Sequence, residues 1–83
     1  MRAHITIIGS GVNGVIHVGF RQWLRESGSI MGLRVQARNE GEQVKAVIEG
    51  EPLSVIGLIK QCRLGPPRAR VLDVLAELER ERN

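Results

Sequence analysis

The sequence predicts an α+β fold of the ferredoxin-like type, a βαββαβ sandwich in which one antiparallel sheet carries two helices on one face. Three observations lead there. Strand-like and helix-like runs follow one another in that order along 83 residues. The second and third strand-like runs are separated by a short turn, so they pair as an antiparallel hairpin. Clusters of glycine and proline stand where one element gives way to the next.

Residues 3–8 are β-branched and loosely alternating, the pattern of a strand. Residues 18–27 set Phe20, Trp23, Leu24 and Ser27 on one helical face, and Gly28 is the expected stop. Residues 33–38 alternate as a second strand, Asn39-Glu40-Gly41-Glu42 forms the turn, and residues 43–48 form a third strand. Gly50-Glu51-Pro52 breaks the chain. Residues 53–64 then repeat Val55, Leu58, Ile59 and Cys62 at helical spacing, with Pro52 where a helix start tolerates it. Gly65-Pro66-Pro67 ends that helix. Residues 69–75 read as the fourth strand, and residues 76–83 as a charged tail that either frays or extends that strand as a helix-prone end. A fifth, edge strand is not expected.

Composition bounds the rest. A chain this short makes one domain, residues 1–83, and buries only a modest share of its surface. With one Trp, one Phe and no Tyr, its core must be aliphatic, with Trp23 and Cys62 packed in or against it. The same scarcity argues against a sheet that stacks RNA bases, so no nucleic acid is expected as a partner. No apolar run approaches a membrane span, and Met1-Arg2-Ala3-His4 does not open a signal peptide. A single cysteine cannot close an internal disulfide, which fits a reducing, cytoplasmic setting. The net charge of +3 favours anions mildly. His4, His17 and Cys62 are too scattered for a metal set, and no cofactor is expected.

The stretch between the first strand and first helix carries the functional signal. Gly9, Gly11 and Gly14 spell G-x-G-x-x-G, which in a parallel βαβ unit would cradle a dinucleotide. The length of the chain, the hairpin that interrupts any parallel series, and Asn39 in place of the acidic ribose ligand count against that reading. A nucleotide-triphosphate loop fails as well, because Val15 stands where a lysine is required.

Gly19-Phe20-Arg21, Gly32-Leu33, Arg38-Asn39, the run Val44-x-Ala46-Val47-Ile48-Glu49-Gly50, and Gly65-Pro66-Pro67-x-Ala69-x-Val71-x-x-Val74 occur in the order and spacing of the acylphosphatase family. The chain resembles that family from residue 2 to about residue 78. The family's first motif runs Gly-x-Val-Gln-Gly-Val-x-Phe-Arg, and two registers fit it here. The preferred one matches Val12-Asn13-Gly14-Val15 to Val-Gln-Gly-Val and leaves Ile16-His17-Val18 as an insertion before Gly19-Phe20-Arg21. The ungapped one, counted back from Arg21, puts His17 at the inner glycine. In the preferred register, three helical residues would carry Arg21 about 4.5 Å from the loop. His17 itself reads as an incidental loop or helix residue rather than a catalyst.

The resemblance implies hydrolysis of the carboxyl–phosphate bond of acyl phosphates. Arg21 and Asn39 would be the catalytic residues, with Gly11, Val12, Asn13, Gly14 and Val15 as the phosphate-binding loop. Arg21 would offer a planar fork to two phosphate oxygens, and Asn39 would orient the attacking water. An acyl phosphate has a good leaving group, so such a site needs neither metal nor catalytic histidine. A family-like fold that binds phosphate without turnover is the alternative. The expected partner is an acyl phosphate or inorganic phosphate, in a monomer or a dimer paired through an open sheet edge.

Overall fold

A computed structural model describes residues 1–79. The observed order is β1 (Arg2–Gly9), α1 (Phe20–Ile30), β2 (Arg34–Glu40), β3 (Gln43–Glu49), α2 (Pro52–Gln61) and β4 (Val71–Glu79), the expected βαββαβ plan. The strands lie in the order β2-β3-β1-β4. Every ladder is antiparallel, so the strand before Gly9 does not open a parallel nucleotide-binding unit.

Alternation decides which side of the sheet is covered. Ala3, Ile5 and Ile7 on β1, and Val44, Ala46 and Ile48 on β3, are all buried. They meet Phe20 and Leu24 from α1 and Val55, Leu58 and Cys62 from the α2 region in one aliphatic core. Trp23 packs against its rim, its ring meeting that of Phe20 edge-on at 5.3 Å. The opposite face of the sheet is polar, with Arg2, Arg34 and Glu49 in one row across the strands. No helix among the described residues is long and apolar enough to cross a membrane.

α1 starts at Phe20 rather than residue 18, α2 ends at Gln61 rather than residue 64, and β4 starts at Val71 rather than residue 69; three further boundaries differ from expectation for local reasons. α1 does not stop at Gly28 but runs on to Ile30. The Leu33 amide donates to the Gly28 carbonyl at 2.8 Å and the Gly32 amide to that of Ser29 at 3.0 Å. This is a Schellman cap, with Gly32 at φ +74° as its left-handed residue. Gly28 serves a different need: it is buried, and a Cβ there would collide with Val35 Cγ2 of β2. The hairpin is also tighter than expected. Glu40 pairs with Gln43, so only Gly41 and Glu42 form the turn and Asn39 lies within β2, opposite Val44. Finally, β4 continues through Ala76–Glu79 rather than fraying, because Ala76 and Leu78 pair with Ile5 and Ala3. The expected end of the tail, residues 80–83, lies outside the described residues.

Candidate active site

The loop from residue 10 to residue 19 joins β1 to α1, and its apolar side chains decide its path. Val15 and Ile16 are buried, 1% and 6% exposed, and Val18 packs against the core. These anchors hold the second half of the loop against the body of the protein. The first half stands out, with Val12 76% exposed. Its base is pinched shut by Arg70, whose carbonyl accepts from the Ser10 amide at 2.8 Å and whose amide donates to the Gly14 carbonyl at 2.7 Å. Side chains would obstruct that pinch: a Cβ on Gly14 would lie 2.6 Å from the Ser10 nitrogen, and one on Gly9 would lie 2.8 Å from the Val15 nitrogen. Two of the three glycines of the G-x-G-x-x-G pattern therefore close a protruding turn.

Ile16-His17-Val18 adds no helical turn before Arg21, because α1 begins only at Phe20 and Ile16 is buried. His17 has φ +63°, the left-handed conformation in which glycine is favoured, at the position that the ungapped register assigns to the inner glycine.

A small cleft opens where this loop meets α1 and the end of β2. Its lining comprises Val15, His17, Gly19, Phe20, Arg21, Gln22, Arg25 and Asn39. Arg21 and Asn39, 18 positions apart in sequence, are thus brought to one cavity. Of the expected loop residues only Val15 reaches it. Gly11 and Val12 are exposed on the protruding turn, Gly14 is committed to Arg70, and the Asn13 amide donates to Glu42 Oε2 at 3.5 Å. His17, Gly19, Gln22 and Arg25 line the cleft without having been expected there. Arg25 had a signal, since it follows Arg21 by four residues and so shares its helical face.

The electrostatics of the cleft favour an anion. Two arginines line it and no carboxylate does. Among the described residues, neither Arg21 nor Arg25 has an ion pair, whereas Arg38 is held by Glu40 at 2.9 Å on the polar face of the sheet. The N-terminus of α1 adds to this. Its cap is Gly19 at φ +79°, no side chain caps it, and its first turn has no acidic residue. The leading amides of the helix therefore keep free donors at the positive end of its dipole. Asn39 is fixed from the other side by the β2–β3 ladder. Two arginines, a row of amides and a neutral amide side chain around one cleft are enough to hold a phosphate and orient one water.

The chain is similar to known acylphosphatases in sequence and fold. The acylphosphatase family model matches residues 4–83. An acylphosphatase of Pyrobaculum arsenaticum is 44% identical over 75 residues, which covers 88% of this chain and 75% of that protein. One from Aeropyrum pernix is 44% identical over 71 residues, covering 82% of this chain and 70% of that protein. The solved acylphosphatase of Coxiella burnetii superposes with a TM-score of 0.85 at 28% identity, over 99% of this chain and 84% of that one. That of Bacillus subtilis gives 0.87 at 21% identity, over 96% and 86%, a likeness of fold.

Proposed function

The chain belongs to the acylphosphatase family, and from that premise we propose that it hydrolyses acyl phosphates in the cleft between α1 and β2, with Arg21 and Asn39 as its catalytic residues. One observation carries the assignment: these two residues, distant in sequence, line one cavity in which, among the described residues, the arginines have no ion pair and no carboxylate takes part.

The substrate's phosphoryl group sits at the mouth of the loop, among the amides of residues 15–19 and the first turn of α1. Arg21 binds two of its oxygens through a planar fork. The Asn39 side-chain oxygen accepts a hydrogen bond from one water and holds it in line with the P–O bond to the acyl group. The water oxygen attacks phosphorus as that bond breaks, and the acyl group departs as a carboxylate. The attacking water's proton passes to a non-bridging phosphate oxygen, so the products are a carboxylate and dihydrogen phosphate. Phosphoryl transfer of this kind passes through a loose transition state, so positioning and charge stabilisation supply most of the acceleration. A cytoplasmic site of action belongs to the same proposal; the lone thiol, Cys62, is buried in the core.

Phosphate release from benzoyl phosphate tests the reading. The wild-type protein should turn over, Arg21→Gln should lose at least about a hundredfold in kcat/KM, and Asn39→Ala should lose a comparable amount, chiefly in kcat. No release by wild-type protein at micromolar concentration would leave only a phosphate-binding module of this fold.

A further inference from the structure

The proposed reaction gives no role to one group in the cleft, His17. Its backbone is held at φ +63°, a conformation that histidine adopts rarely and that a glycine would adopt freely. This fixes the direction of its Cβ. The residue is exposed and lines the cleft together with Arg21, Arg25, Gln22 and Asn39. Among the described residues it has no hydrogen-bond or ion-pair partner.

Resting on the acyl-phosphate reading of this cleft, we propose that the His17 imidazole donates a hydrogen bond to the bound phosphoryl group, so that anion affinity falls as the imidazole loses its proton. Histidine is the ordinary side chain that changes charge between about pH 5 and 8. The charged groups that face it are Arg21 and Arg25 from α1. From β2 it meets only neutral Asn39, because Arg38 and Glu40 pair on the other face of the sheet. Beyond the β2–β3 turn, the Glu42 carboxylate is directed to the Asn13 amide. A protonated imidazole beside a bound dianion adds a charge-assisted hydrogen bond, so anion binding and protonation of His17 favour each other. His17 is thus a phosphate-contacting residue and not a general base, and it makes this cleft respond to pH where a glycine would not.

Sulfate is the probe, because it stays dianionic across this range and needs no turnover. Its inhibition constant against benzoyl phosphate hydrolysis, and its dissociation constant by calorimetry, are measured from pH 5.5 to 8 for wild type, His17→Asn and His17→Gly. Asparagine tolerates the left-handed backbone and glycine relieves it, so both variants keep the loop path. Wild-type affinity should weaken about tenfold as the pH rises, the scale of one charge-assisted hydrogen bond, while both variants stay within about twofold. Superimposable profiles for all three proteins would overturn the inference. Activity that survives Arg21→Gln would instead overturn the catalytic role of Arg21, and a wild type without activity the hydrolase reading; in either case the calorimetric sulfate profile would still judge His17.

Discussion

Replacing Gly28 by alanine tests how α1 is seated, and with it how Arg21 is aimed. The added Cβ would overlap Val35 Cγ2, and it would come within 3.5 Å of Leu58 Cδ2. Val35 is β-branched and sits within β2, so it has little rotamer freedom with which to yield. Overpacking of this kind costs about 1–3 kcal/mol, whereas replacing glycine by alanine inside a helix returns about 1 kcal/mol. The balance is a loss of about 1 kcal/mol, which in a domain this small lowers Tm by about 4–8 °C. The overlap also has a direction. It pushes α1 away from β2, and these elements carry Arg21 and Asn39 respectively. A shift of about 1 Å between catalytic groups can cost about a hundredfold, so a smaller shift should lower kcat/KM by about tenfold. Thermal melts and benzoyl phosphate kinetics of Gly28→Ala, made in both wild-type and Val35→Ala backgrounds, separate the two contributions. With Val35 truncated the overlap disappears, and Gly28→Ala should raise Tm. The reasoning is refuted if Gly28→Ala raises Tm equally in both backgrounds.

Three further outcomes follow from the structure. Gly32→Ala should cost about 1 kcal/mol in urea unfolding, because nothing within 4 Å obstructs a side chain there and the penalty is that of the left-handed backbone alone; Gly32→Asn should cost less. Burial pushes the Cys62 thiol from 9.0 up to about 12. The unfolded chain therefore loses this proton first, and stability should fall as pH rises above about 9, by up to about 1.4 kcal/mol per pH unit; the urea midpoint of Cys62→Ala, lower throughout, should lack that slope. A carboxylate placed near the bound phosphate should weaken substrate binding, so His17→Asp should raise KM more than about tenfold while Val12→Asp, on the protruding turn, changes it by less than about twofold.

Much of this fold is legible because its elements carry clean periodicities, and the misread boundaries are places where two physical demands share one residue type. Gly28 and Gly32 both look like helix stops. Only the pairing of α1 with β2 shows that the first permits close packing and the second makes the left-handed turn. The last four described residues look like a charged tail because glutamates fill alternate places. Yet Val74, Ala76 and Leu78 continue a period of two, with Glu77 and Glu79 on the open face, and that alternation was available in the sequence.

The active-site loop shows the same ambiguity at closer range. That Arg21 and Asn39 line one cleft was legible because each sits in an element whose register is set by its neighbours, α1 by Phe20 and Leu24 and β2 by its pairing with β3. The loop between has no such ladder, and its glycines drew the phosphate cradle toward residues 11–15. Burial decides otherwise. Val15 and Ile16 are the strongest apolar anchors in the loop, and removing two such side chains from water is worth roughly 3–6 kcal/mol. That is more than the cost of the left-handed backbone at Asn13 and His17, about 1–2 kcal/mol each. The chain therefore turns outward before Gly14, passes under the core at Val15 and Ile16, and re-emerges at His17 directly beside Arg21. The same burial that hides the register from a glycine pattern is what delivers an imidazole to the cleft.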